Sequence, residues 1–225
     1  MQWRFPDNLF VGTSSWSSMY WCGTFYSDSI EPGEMIREYS NKLPTVEIDS
    51  TWYHMPGVKT VESWKTKTPD GFVFSAKVPK VISHDKYPVD CEAELNQFVS
   101  VMANLGEKLG PLILQFPYVA KGKDAEKYRT GSEFIRRLKG FVNPLPGEFR
   151  WGIEIRNSLW VKPPLLDILR SRDISLVFID YYAMDPPPQN APVYVYFNNH
   201  YAGYAPGSVE LFEKLFNAGD PESSG

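Results

Sequence analysis

The chain has 225 residues, 43% of them hydrophobic and 15% aromatic, and a formal net charge of −4. That charge excludes the global cationic field that drives non-specific nucleic-acid binding, leaving only a local basic patch open. No apolar stretch approaches the roughly 20 residues of a membrane-spanning helix, and two cysteines, Cys22 and Cys91, are too few for a disulfide framework and lack the spacing of a zinc site.

The opening residues, MQWRFPDNLFVGTS, show no apolar run followed by a small-residue cleavage site, so a soluble cytoplasmic protein is expected. Length favours one domain over 1–225, with 218–225 as a flexible tail. The first apolar run, Leu9 to Ser15, predicts a strand and passes into a long loop rich in Ser, Gly and aromatics, which favours a functional or lid-like role. A helix follows over 34–43 with Met35, Ile36, Tyr39 and Leu43 on one face, then a strand over 45–51.

Further strands are predicted at FVFSAKV (72–78), PLILQF (111–116), WGIEIR (151–156), SLVFID (175–180) and VYVYFNNH (193–200). Helical spacing is clearest over 93–109, where Leu95, Phe98, Val99, Met102 and Leu105 form a stripe. Shorter helices fall near 132–138, after Pro163 and Pro164, and at the end, where Val209, Leu211, Phe212, Leu215 and Phe216 recur. Alternating strands and helices predict an α/β fold, a TIM-type (β/α) barrel. After the sixth strand, DYYAMDPPPQNAP offers no helix, so the barrel is expected to be seven-stranded or incomplete, with the unit between Asp180 and Val193 missing.

Such barrels carry chemistry at the C-terminal ends of their strands. That end gathers Thr13, Glu47, Asp49, Lys77, Gln115, Glu154, Arg156, Asp180 and Asn198. Alternation puts Glu47 with Asp49, Ser75 with Lys77, and Glu154 with Arg156 on single faces. Strands sandwiched between helices and a barrel interior normally read as apolar on both faces, so these charges require an explanation.

Several segments together resemble the domain of unknown function 72 family: VGTSSWSSMYWCGTFY, TVEIDSTWYHMP, WKTKTPDGFVFSAKVPKVISH, LGPLILQFP, GIEIRNSLW and VYVYFNNHYAGYAP. The resemblance implies a TIM-barrel fold and names no reaction. Ser15 stands where that family usually has a glycine before the tryptophan. Between Asp180 and Val193 the family usually carries another strand, a segment with arginine and histidine, and a helix, none of which is visible here.

Glu47 and Glu154 are the acid–base candidates, because paired carboxylates divide that work when their surroundings separate their pKa values. The competing reading is a structural network in which Lys77 and Arg156 neutralise the acids. His84, after the third strand, is the proton-transfer histidine. Lys77 and Arg156 suit an anionic group; a Schiff base on Lys77 is disfavoured, since the neighbouring carboxylates keep it protonated. Trp16, Tyr20, Tyr53 and Trp160 are candidates to stack on a ring, while Asn198 and His200 orient polar substituents. A divalent ion on Glu47, Asp49, Glu154, Asp180, Asn198 and His200 is not favoured, because the three histidines lack ligand spacing and cations interleave the acids. No cofactor is expected. The resulting expectation is an enzyme, a hydrolase or lyase, acting on a small polar or anionic substrate such as a sugar or phosphosugar. The alternatives are a nucleic-acid binding or processing protein and a non-catalytic ligand- or partner-binding barrel. No membrane partner is expected.

Overall fold

The computed structural model describes residues 6–119, 131–157, 160–177, 193–198 and 203–218. Seven strands form one all-parallel sheet: β1 (Leu9–Thr13), β2 (Thr45–Ile48), β3 (Val73–Lys77), β4 (Leu109–Phe116), β5 (Trp151–Ile155), β6 (Ser175–Val177) and β7 (Val193–Phe197). Their spatial order is β6-β5-β4-β3-β2-β1-β7. The last strand therefore lies beside the first, as the closing strand of a TIM-type barrel does, while β6 stands at the far edge. The sheet is a curled, incomplete barrel of seven strands, as the sequence pattern implies. The skipped unit itself lies within 178–192, outside the described residues.

Among the described residues five α-helices connect strands and a sixth follows β7: α1 (Met35–Ser40), α2 (Val58–Lys67), α3 (Glu92–Met102), α4 (Gly131–Val142), α5 (Pro163–Ser171) and α6 (Ala205–Ala218). Several boundaries differ from the sequence reading: the strand expected over 45–51 ends at Ile48, where a 3-10 segment over Asp49–Trp52 begins, and the helix expected over 34–43 spans Met35–Ser40. The stripe over 93–109 is cut at Met102, where a 3-10 segment over Ala103–Lys108 takes over and Gly106 adopts φ 60°, so β4 begins at Leu109. The helix expected near 132–138 extends through Val142. Helix α6 runs to Ala218, and 219–225 lie outside the described residues. No helix among the described residues is long and apolar enough to cross a membrane.

Strand parity divides the sheet into two unlike faces. Val11, Val46, Ile48, Phe74, Ala76, Leu112, Leu114, Phe116, Ile153 and Ile155 are all buried. They meet Met35, Ile36 and Tyr39 of α1, Val61 of α2, Phe98 and Met102 of α3, Phe134 and Leu138 of α4 and Leu165 and Leu169 of α5 in one continuous apolar cluster. That outer layer is where hydrophobic burial holds the fold together. The inner face carries Thr45, Glu47, Ser75, Lys77, Gln115 and Glu154, all buried yet polar.

Register explains which residues point inward. Glu47 pairs with Ser75, Lys77 with Ile113, and Gln115 with Glu154. Between β3 and β4 the register shifts: Phe74 faces Leu109, but Ala76 faces Leu112. One extra residue is thus accommodated at Gly110–Pro111, a β-bulge. A side chain at 110 would place its Cβ 2.5 Å from Val73 Cγ1 and 3.1 Å from the Phe74 carbonyl oxygen, so glycine fits this close approach.

Candidate functional site

Lys77 is the centre of the inner-face charges. Its Nζ lies 2.5 Å from Asp49 Oδ1 and 3.8 Å from Glu47 Oε2. The strand end that carries it is pinned by Thr51, whose hydroxyl donates to the carbonyls of Ile48 and Lys77, both at 2.7 Å. Burial works against the ammonium, but the carboxylates of Glu47, Asp49 and Glu154 outweigh it and raise the Lys77 pKa above its ordinary value. An amine held this firmly as a cation is a poor Schiff-base nucleophile.

Glu47 is shifted the other way. Burial pushes its carboxyl above the usual range, against the pull of Lys77 and the Ser14 hydroxyl and with help from Asp49 and Glu154. Glu154, on β5, is buried and accepts a 2.8 Å hydrogen bond from Nε of Arg156, whose side chain is about half exposed. Beside Glu154, Gln115 is only 6% exposed, and its Oε1 has no hydrogen-bond partner among the described residues.

His84 sits in a π-type turn, Val81–Lys86, just beyond β3. Its Nδ1 is 2.8 Å from Ser83 Oγ, and its ring meets Trp52 edge-on at 5.0 Å. Burial, then the cationic charge of Arg156, lowers its pKa, so the imidazole is neutral at neutral pH. Tyr53 extends this aromatic contact, edge-on to Trp52 at 4.6 Å.

Other expected residues fall elsewhere. Thr13 has the parity of Val11 and faces the helices: its Oγ1 is 2.9 Å from Tyr39 Oη and donates to the Ser15 carbonyl. Trp16 packs edge-on against Trp64 and Phe74, in the outer layer. Trp160 stacks on Phe134 of α4 at 4.7 Å. These three support the shell rather than the inner pit. Tyr20 and Tyr53 are exposed on the loops after β1 and β2. Asn198 follows β7, whereas Asp180 and His200 lie outside the described residues. No group of three or more His, Cys, Asp or Glu among the described residues is arranged to hold a metal ion. Cys22 and Cys91 are free thiols.

Two contributors were not singled out from the sequence. Tyr196 of β7 reaches across the inner face, with its hydroxyl 2.5 Å from Ser75 Oγ and 2.9 Å from Thr45 Oγ1. Burial raises its pKa far above the phenol range, so it stays protonated. Strand alternation in VYVYF carries the signal for its direction, since Tyr194 and Tyr196 share a face. Asn157 anchors the chain beyond β4: its Oδ1 accepts from Val119 N at 2.8 Å and its Nδ2 donates to Val119 O at 3.0 Å. Pairing of this kind between distant loops leaves no mark in sequence spacing.

Fold and site define a class: an open (β/α) barrel with a cluster of ionisable side chains on its inner face, toward the C-terminal ends of its parallel strands. The chain belongs to the family described as "Protein of unknown function DUF72", which matches residues 10–190. It is 28% identical over 149 residues to UPF0759 protein YecE of Escherichia coli K12, covering 66% of this chain and 48% of that protein. To UPF0759 protein YunF of Bacillus subtilis it is 22% identical over 165 residues, covering 71% and 54%. The chain thus spans about half the length of the curated relatives it matches. Among solved structures, a DUF72 family protein from Thermotoga maritima superposes with TM-score 0.68 at 20% identity, covering 93% of this chain and 99% of that one. One from Enterococcus faecalis gives 0.57 at 24% identity, covering 87% and 73%. At these identities the structural likeness carries the fold alone.

Proposed function

We propose that the protein is an enzyme that performs acid–base chemistry on a small polar substrate bound at the C-terminal end of the sheet, a sugar or phosphosugar being the class that fits. The observation that carries this reading is Glu47: a buried carboxyl with a raised pKa, 3.8 Å from a buried ammonium and on the same inner face as Glu154. A purely structural ion network gains nothing from a carboxyl that resists ionisation, whereas a proton donor does.

Glu47 supplies the proton. Glu154, held in place by Arg156, and the neutral His84 imidazole are the groups placed to accept one. Arg156, half exposed, orients the Glu154 carboxylate, while Lys77 fixes the orientation of Asp49 and the local charge balance. Hydrolysis and elimination both use such a donor–acceptor pair.

A thermal-shift panel of sugars and phosphosugars identifies a ligand by mass action. With that ligand as substrate, Glu47→Gln should lower turnover by about 10²–10⁴-fold. Unchanged turnover in both Glu47→Gln and Glu154→Gln would overturn the reading. Stability gives a separate check on the raised pKa. Below the ordinary carboxylate pKa of 4.5 both folded and unfolded states hold the Glu47 proton. Above it the unfolded chain releases the proton first, so this residue makes stability fall as pH rises until its folded pKa is passed. Denaturation curves of Glu47→Gln should lack that component of the slope.

A further inference from the structure

The rim of the pit differs from its floor. Tyr20 on the loop after β1 is 89% exposed, Tyr53 after β2 61%, and Tyr118 after β4 65%; Met19 beside Tyr20 is 57% exposed. Because all seven strands are parallel, these three loops leave the sheet at the same end, the end that holds Lys77, Gln115 and Glu154. Exposed tyrosines gathered at one end of a fold indicate a contact surface rather than a packing residue.

The Tyr53 ring is held by a fixed neighbour, and Tyr20 and Tyr118 each adjoin a residue anchored in the fold. Tyr20 precedes Trp21, which is buried and packs edge-on against Phe25. Tyr53 leans on Trp52, which in turn contacts His84. Tyr118 precedes Val119, whose N–H and C=O are both tied to Asn157, the residue after Arg156. A ring braced as Tyr53 is loses little freedom when a ligand covers it, and anchored backbone at the other two limits how far those rings can wander.

The floor is close to charge-balanced: the cations Lys77 and Arg156 are each engaged by a carboxylate, Asp49 and Glu154. It therefore offers no surplus positive charge for a chain of phosphates, and the whole molecule carries −4. Gln115 adds an independent sign of a ligand, since its buried Oε1 has no partner among the described residues and shares the face of Glu154. A buried acceptor of this kind calls for a donor such as a hydroxyl.

Flat rings that stack, hydroxyls that donate, no net charge and several platforms in sequence describe one class of ligand. We infer that the mouth binds an uncharged oligosaccharide, with successive sugar rings lying on Tyr20, Tyr53 and Tyr118 and a hydroxyl of the innermost ring donating to Gln115. This rests on the acid–base reading of the pit and extends it from a single small sugar to a chain.

The test is isothermal titration with cello-, chito- and malto-oligosaccharides of one to six units, and with a twelve-nucleotide oligothymidylate. In one sugar series affinity should rise by about tenfold between one unit and three. Each of Tyr20→Ala, Tyr53→Ala and Tyr118→Ala should weaken the hexamer by about fivefold, the loss of one aromatic contact, with an unchanged melting temperature. Affinity independent of length, tyrosine variants that bind like the parent, no binding in any series, or tighter salt-sensitive binding of the oligothymidylate would each overturn it. The two readings fail separately. Length-dependent binding with Glu47→Gln fully active removes the catalytic assignment alone; Glu47-dependent turnover of a single sugar with no length dependence removes this one alone.

Discussion

The outer and inner faces of the same seven strands obey opposite rules. Outward, Val46, Ile48, Phe74, Leu112, Leu114 and Ile153 pack into one apolar cluster, and their burial needs no partner beyond close packing. Inward, Glu47, Lys77 and Glu154 are nearly as buried but depend on specific partners a few ångströms away. A closed barrel of this type fills its interior with branched apolar side chains; this interior keeps groups that can move protons. Stability thus resides on one side of the sheet, and the ionisable groups on the other.

The comparison breaks most visibly on the outer side. Phe74 is fully buried among Trp16, Trp64 and Phe72, so Phe74→Ala should lower unfolding free energy by about 4 kcal/mol. Urea titration measures this, and a loss under 1 kcal/mol would mean that the outer layer is not the main source of stability. On the inner side the sign depends on partners. Lys77→Met should destabilise by about 3 kcal/mol, because it strands the Asp49 carboxylate and takes away the polar partner of the buried Glu47 carboxyl. Adding Glu47→Leu should then restore part of that loss, something no second truncation in an apolar layer does. A double-mutant cycle with no coupling would erase the distinction between the faces.

The smallest effect sharpens the boundary between strand and loop. Ser15 has φ 146°, a conformation that glycine enters readily and other residues rarely do. Ser15→Gly should stabilise by about 0.5–1 kcal/mol, the released strain being offset by the added freedom of the unfolded chain. Destabilisation would indicate that the Ser15 Oγ contact with Ser17 N, 3.3 Å, outweighs the strain.

Much of this was legible from alternation alone. Glu47, Lys77 and Glu154 each lie in a short run whose apolar neighbours define the other face, so the strand period places them together. The same reasoning applied strictly separates Thr13 from them, because Thr13 shares parity with Val11 and its neighbour Gly12 has no side chain to mark the inner face. Ser15, the departure from the family pattern, is matched by an unusual φ at that position. What was not legible is long-range: Trp16 and Trp160 read as loop aromatics free to stack on a ligand, but their partners Trp64 and Phe134 are 48 and 26 residues away in the chain. Sequence spacing does not report which of several exposed-looking rings will find a neighbour. Helix α2 carries a weaker apolar pattern than its neighbours, with Val61 its one fully buried side chain, which is why it leaves little trace in a hydrophobic scan.

The extra residue at Gly110–Pro111 acts as a phase shift in the code that maps strand position to direction. Before it, Leu109 points with Phe74 toward the helices; after it, Leu112 does, and so Ile113 and Gln115 look inward. Uninterrupted alternation through both residues would reverse every later side chain of β4, turning Gln115 into the apolar layer and Leu114 and Phe116 to the inner face; the bulge prevents this. A single-residue deletion at 110 or 111 would therefore erase the bulge and still leave the wet and dry surfaces of this strand where they are from Leu112 onward, since Leu112 keeps Ala76 and Ile113 keeps Lys77 as partners.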